Sequence, residues 1–221
     1  MRRSLLFLRL PRAIATVVSR AYGIGMFYLA GTVIVTACDA RSAAETGAAD
    51  APAGVIDSAL PIPVLLERFR ATTTDTPSML RGGTERPEAL VRALLAAVSA
   101  RDTATLRALV MTRAEFAWLY YPFTKFVARP YELGPELVWL QHVAGSETGA
   151  VRLLERYGGA RLRFEALLCA DSVIVEGPNR ITPGCRVRFA AADSAARTLQ
   201  LFAGLLARDG RYKFLSYAND L

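Results

Sequence analysis

Three cysteines, Cys38, Cys169 and Cys185, and one histidine, His142, hold most of the reactive side-chain chemistry in this chain. Thiols supply nucleophiles, metal ligands or disulfides, and imidazole supplies an acid, a base or a ligand. One histidine excludes a two-histidine zinc site. The sequence also lacks a His-Glu-x-x-His run, a Gly-x-Ser-x-Gly elbow, a phosphate-binding loop and a dinucleotide glycine fingerprint. No metal, cofactor or catalytic residue is therefore assigned. His142 could serve as a lone acid or base helped by Tyr157 or Asp171, but no spacing relation joins the three, and a lone histidine on a helix is more often structural. The other feature with chemical potential is aromatic: Tyr120, Tyr121, Phe123, Phe126 and Tyr131 in one short run, with Trp139 nearby. Such rings offer a binding surface for an apolar ligand or a partner, or else they form core.

Cys38 is set apart by what precedes it. Residues 1 to 22 carry Arg2, Arg3, Arg9, Arg12 and Arg20 without an acidic residue, and an uncharged apolar run of about fifteen residues from Gly23 to Ala37 follows. That length suits the core of an export signal better than a membrane span of roughly twenty residues. Val35-Thr36-Ala37-Cys38 resembles the lipobox of bacterial lipoproteins, which implies a cleaved signal at 1–37, a lipid on Cys38 and an envelope location facing the periplasm or exterior. The competing reading is an uncleaved single-span anchor with an incidental cysteine.

The charge balance changes once that segment is set aside. The full chain has 27 basic and 20 acidic residues, and removing the five leading arginines leaves 22 against 20. Basicity thus belongs largely to the targeting segment, and no nucleic-acid partner is expected. The partners expected are a membrane, reached through the lipid, and an envelope protein or apolar ligand. Residues 38–55 are small and polar and read as a tether. In an exported domain Cys169 and Cys185 are expected to pair; the alternative is two buried thiols.

Residues 56–86 read as a loosely ordered lead-in and 87–221 as the main domain. Pro87 and Glu88 open a helix carrying Leu90, Val91, Leu94, Leu95 and Val98. A short helix over 103–109 follows, and Thr112-Arg113-Ala114-Glu115 predicts a capping box opening a third. The aromatic segment 123–133, interrupted by Pro130, reads as a loop or lid. Gly134-Pro135 predicts one helix through His142, Ser146 a separate one, and Gly158-Gly159 its end. Alternation then marks strands at 161–168, 172–175 and 186–189. An apolar run follows at 198–206, and Asp209-Gly210 predicts a hairpin into 211–217. The order predicts an α+β domain with helices on one face of a C-terminal antiparallel sheet.

The opening helix from Ala89 to Asp102 with Leu106 and Leu109, and the closing Arg208-Asp209-Gly210-Arg211-Tyr212-Lys213-Phe214, resemble the nuclear-transport-factor-2-like (NTF2-like), cystatin-like superfamily. The resemblance implies a helix-covered sheet with a pocket. The expected function is a membrane-tethered lipoprotein that binds an apolar molecule or an envelope protein. The alternative is an enzyme of that superfamily using a pocket acid or base for proton transfer or hydrolysis.

Overall fold

The structure, a computed structural model, describes residues 60–192 and 194–221. Cys38 and the segments expected to be a signal (1–37) and a tether (38–55) lie outside the described residues. Among the described residues five α-helices come first: α1 (Ile62–Ala71), α2 (Pro87–Ala100), α3 (Thr103–Leu109), the single turn α4 (Arg113–Glu115) and α5 (Pro135–Tyr157). Seven strands follow: β1 (Leu162–Leu168), β2 (Ile174–Glu176), β3 (Asn179–Pro183), β4 (Arg186–Ala191), β5 (Arg197–Leu199), β6 (Gly204–Arg208) and β7 (Arg211–Phe214). The protein is α+β, with helices in the N-terminal half and strands in the C-terminal half.

Local chemistry accounts for the helix starts. Pro87 occupies the first position of α2, where its missing N–H costs nothing, and Leu90, Val91, Leu94, Leu95 and Val98 are all buried on one side. Asp102 caps α3 by accepting the Thr105 N–H at 3.0 Å. Thr112 and Glu115 form the reciprocal capping box of α4. Beyond Glu115 the chain widens into a π turn (Phe116–Tyr120) and tightens into a 3-10 turn (Tyr121–Phe123), which carries it past Pro122.

Four sequence expectations change. The lead-in holds a full helix, α1, whose Phe69 is buried, as is Leu80 after it. The two helices expected on either side of Ser146 are one 23-residue helix. Ser146 does not cap a new start; its hydroxyl accepts the Tyr217 N–H at 3.1 Å and so ties the middle of α5 to the C-terminal segment. The turn-rich stretch after Glu176 contains an interior strand, β3, because Gly177 (φ +58) and Pro178 make a two-residue hairpin between Glu176 and Asn179. Finally, the strands form two antiparallel sheets, ordered β1-β4-β5 and β2-β3-β6-β7.

The expected Asp209-Gly210 hairpin joins β6 to β7, with both residues at positive φ (49 and 75). Side chains alternate across these strands: Leu205 and Phe214 enter a core built on α2, α3 and β4, whereas Leu206 and Ile181 enter a second core with Phe69, Phe116 and Tyr121. Cys169 and Cys185 form a disulfide that joins the end of β1 to the start of β4. Their separation of 16 residues gives roughly 3 kcal/mol of stabilisation by loop closure.

Candidate functional site

Helix α3 runs antiparallel to α5. At one end Arg101 Nη2 donates to the Gly158 carbonyl at 3.0 Å; at the other Arg113 Nη2 lies 2.8 Å from Glu136 Oε2. Between these ties the helices stand apart, leaving a groove of about 600 Å³. Leu106, Val110 and Met111 form one wall; Trp139, Val143, Ala150, Val151 and Leu154 form the other. Tyr217 and His142 also line it, and Tyr217 is fixed there by donating its hydroxyl to the Leu106 carbonyl at 2.7 Å. The wall is anchored to the sheet through Met111, whose N–H donates to the Phe214 carbonyl at 3.0 Å.

His142 is half-buried and stacks on Trp139, with centroids 5.8 Å apart and planes 23° apart. Burial lowers its pKa from the ordinary 6.5, outweighing the opposing effect of its hydrogen bond to the Leu215 carbonyl. The ring is neutral at pH 7, with the proton on Nε2 donated to that carbonyl and Nδ1 left as an acceptor. The helpers considered from sequence are elsewhere. Tyr157 lies fifteen residues further along the same helix, about 22 Å along its axis, and packs edge-on against Phe189. Asp171 is exposed in the β1–β2 loop. No acid–base trio is assembled.

The folded state refuses a proton at His142 that the unfolded chain accepts, so ∂ΔG/∂pH is positive below 6.5. Unfolding free energy should therefore fall as pH drops through 6.5 towards 5, and His142→Gln should flatten part of that fall. Urea midpoints of both proteins at pH 7.5 and 5.0 check this; equal pH dependence would refute it.

The aromatic run divides. Tyr120 and Tyr121 are core: both stand near Phe116, and Tyr121 donates its hydroxyl to the Leu133 carbonyl at 2.6 Å. Burial pushes both phenols up to about 12, with the Glu176 carboxylate adding to the effect at Tyr120. Phe123 is exposed and covers the Gly177 turn, where a Cβ would overlap its ring. Phe126, partly buried against the second core, meets the exposed Tyr131 edge-on (5.9 Å), with the Lys125 ammonium over both rings. Of the six aromatics proposed from sequence, Trp139 alone lines the groove.

Sequence reasoning missed two features. The first is the groove itself, because splitting α5 at Ser146 hid the alignment of Trp139, Val143, Ala150 and Leu154 along one side. The second is a buried ion pair. Lys213 Nζ lies 2.7 Å from Glu115 Oε2, with both side chains almost wholly removed from solvent (1% and 2%). The same carboxylate accepts the Arg81 N–H at 2.7 Å and the Thr112 N–H at 2.8 Å. Burial lowers the Lys213 pKa while Glu115 opposes that shift. The pair fastens α4 and the lead-in onto β7 and, through the Thr112 N–H, reaches the edge of the groove. Among the described residues no group of three or more metal-ligating side chains gathers, and no helix is long and apolar enough to cross a membrane.

Compared with known proteins, the chain matches no family model, no curated protein and no solved structure.

Proposed function

We propose that this chain is a lipid-anchored envelope protein whose α+β domain acts by binding, with the α3–α5 groove as the site. The anchor reading rests on the arginine-flanked apolar run ending in Val35-Thr36-Ala37-Cys38. The Cys169–Cys185 disulfide supports it, since such bonds persist outside the reducing cytoplasm. The likeness to the NTF2-like superfamily belongs to the same proposal, supported by the helices-first order and the closing β6–β7 hairpin.

The observation that carries the binding reading is the groove: an apolar trough of a volume suited to ligands, with polar groups only at intervals. Binding is favoured over turnover because, among the described residues, neither Tyr157 nor Asp171 stands beside His142. Native mass spectrometry of the full chain, extracted in mild detergent, tests this. A non-covalent mass excess that disappears on denaturation is expected. Val151→Glu, which places a charge on an exposed part of the groove wall, should lower its occupancy at least about tenfold while leaving the melting temperature within a few degrees. The bare chain mass in both proteins would end the binding reading.

A further inference from the structure

Helix α5 buries Val138, Ser146, Gly149 and Leu153 and turns a different set outward. Leu137, Leu140 and Val151 are large apolar side chains exposed at 47%, 59% and 52%. Together with Ala144, Glu147 and Leu154 they are spaced three, four, three, four and three residues apart. That is the a/d spacing with which a helix meets another helix, sustained over about 26 Å at 1.5 Å per residue. The stripe is continuous with the groove wall, since Val151 and Leu154 belong to both. An open trough flanked by two helices matches a third helix of 10–12 Å diameter, whereas small ligands favour sites that enclose most of their surface.

Charge selects the occupant. Glu147 interrupts the apolar stripe, and Arg107 faces the trough from α3. Neither is in an ion pair among the described residues. A second copy fits poorly. Parallel α5–α5 pairing places Glu147 against Glu147. Antiparallel pairing about the stripe's midpoint sets each beside Ala144 and about 4.5 Å from the other along the axis.

Resting on the binding reading above, we infer that the α3–α5 groove and the adjoining stripe of α5 receive an amphipathic helix of another protein. That helix carries apolar residues at three-four spacing, a lysine or arginine level with Glu147 and an acidic residue towards Arg107. Apolar anchors supply affinity; the two charges fix direction and register.

Site-specific photo-crosslinking of the full chain in its own cells tests this, with benzoylphenylalanine placed in turn at Leu140 and Val143. The expected adduct maps to an amphipathic helical segment of a different protein that bears a basic residue. It should fall at least about tenfold when Glu147→Lys is added and persist with Arg156→Glu on the opposite side of α5. Adducts to a second copy, to an extended segment or to a helix indifferent to Glu147→Lys overturn the inference. A lipid or other small-molecule adduct overturns it while sparing groove binding. No adduct from either position overturns both.

Discussion

Lys213→Met should cost this domain about 4 kcal/mol of unfolding free energy, a large share of the 5–15 kcal/mol that natural domains have. The reason is the asymmetry of buried charge. Glu115 and Lys213 are almost fully desolvated, and the Glu115 carboxylate gathers three donors: Lys213 Nζ, the Arg81 N–H and the Thr112 N–H. Removing the ammonium leaves a buried anion with two neutral donors, and an unmatched buried charge costs far more than the pair contributes relative to an apolar replacement. Glu115→Ala should be at least as damaging, because it strands all three donors at once. The double variant Glu115→Gln with Lys213→Met keeps an acceptor oxygen and removes both charges. It should recover at least half of the single-variant loss. Urea unfolding with the disulfide intact measures all of these; a loss below about 1 kcal/mol in Lys213→Met would sink the account.

That pair also governs the groove. Glu115 ends α4, which follows Met111 and Thr112 at the mouth of the trough, and Lys213 lies one residue before Phe214, the strand residue that holds Met111 in place. Loosening the clasp should therefore widen the groove from its Arg113 end before the rest of the fold yields.

Much of the architecture was legible in the sequence wherever a local rule governs it. Pro87 and the Thr112–Glu115 box mark their helix starts because such signals depend on neighbours within a few residues. Asp209-Gly210 marks its hairpin because a two-residue turn demands positive φ. What stayed hidden depends on contacts distant in the chain. Glu115 and Lys213 are 98 residues apart, and nothing in either local pattern distinguishes them from exposed charges. The groove was invisible for a related reason: it is the space between α3 and α5, and its existence rests on where Tyr217 docks. Strand β3 was obscured because Gly177-Pro178 and Pro183-Gly184 bracket it with turn residues, although its Asn179 and Ile181 face inward. Asn179 is held there by donating to the Leu119 carbonyl at 2.9 Å. Among the aromatics, ring chemistry alone could not separate core from surface: Tyr121 is fully buried and Tyr131 is 45% exposed, ten residues apart.

The misreading at Ser146 leads to the second large effect. A serine following a glycine in a helical pattern suggests a break, yet α5 passes through Gly145, Ser146 and Gly149 without interruption. The glycines are tolerated because the C-terminal segment lies against this stretch. A Cβ on Gly149 would overlap the Tyr217 carbonyl oxygen and stand 2.5 Å from its carbonyl carbon, while Asn219 Nδ2 bonds the Gly149 carbonyl at 3.0 Å and the Tyr217 carbonyl at 2.9 Å. Gly149→Ala would ordinarily strengthen a helix by up to about 1 kcal/mol. Here the obstacle is backbone, so the helix and the segment must separate. That motion strains the Ser146–Tyr217 and Asn219 hydrogen bonds and lifts Tyr217 from the groove floor. The expected loss is about 4 kcal/mol, combining overpacking with several buried hydrogen bonds. Gly145→Ala in the same helix provides the opposite expectation. Its Cβ would lie 3.5 Å from the Ala218 Cβ, an ordinary contact, so stability should hold or rise. Thermal and urea unfolding of the two variants side by side decide the matter. Losses of equal size would mean that helix propensity or general crowding governs this stretch. Opposite signs would mean that the close approach of Tyr217 sets both the continuity of α5 and the floor of the groove.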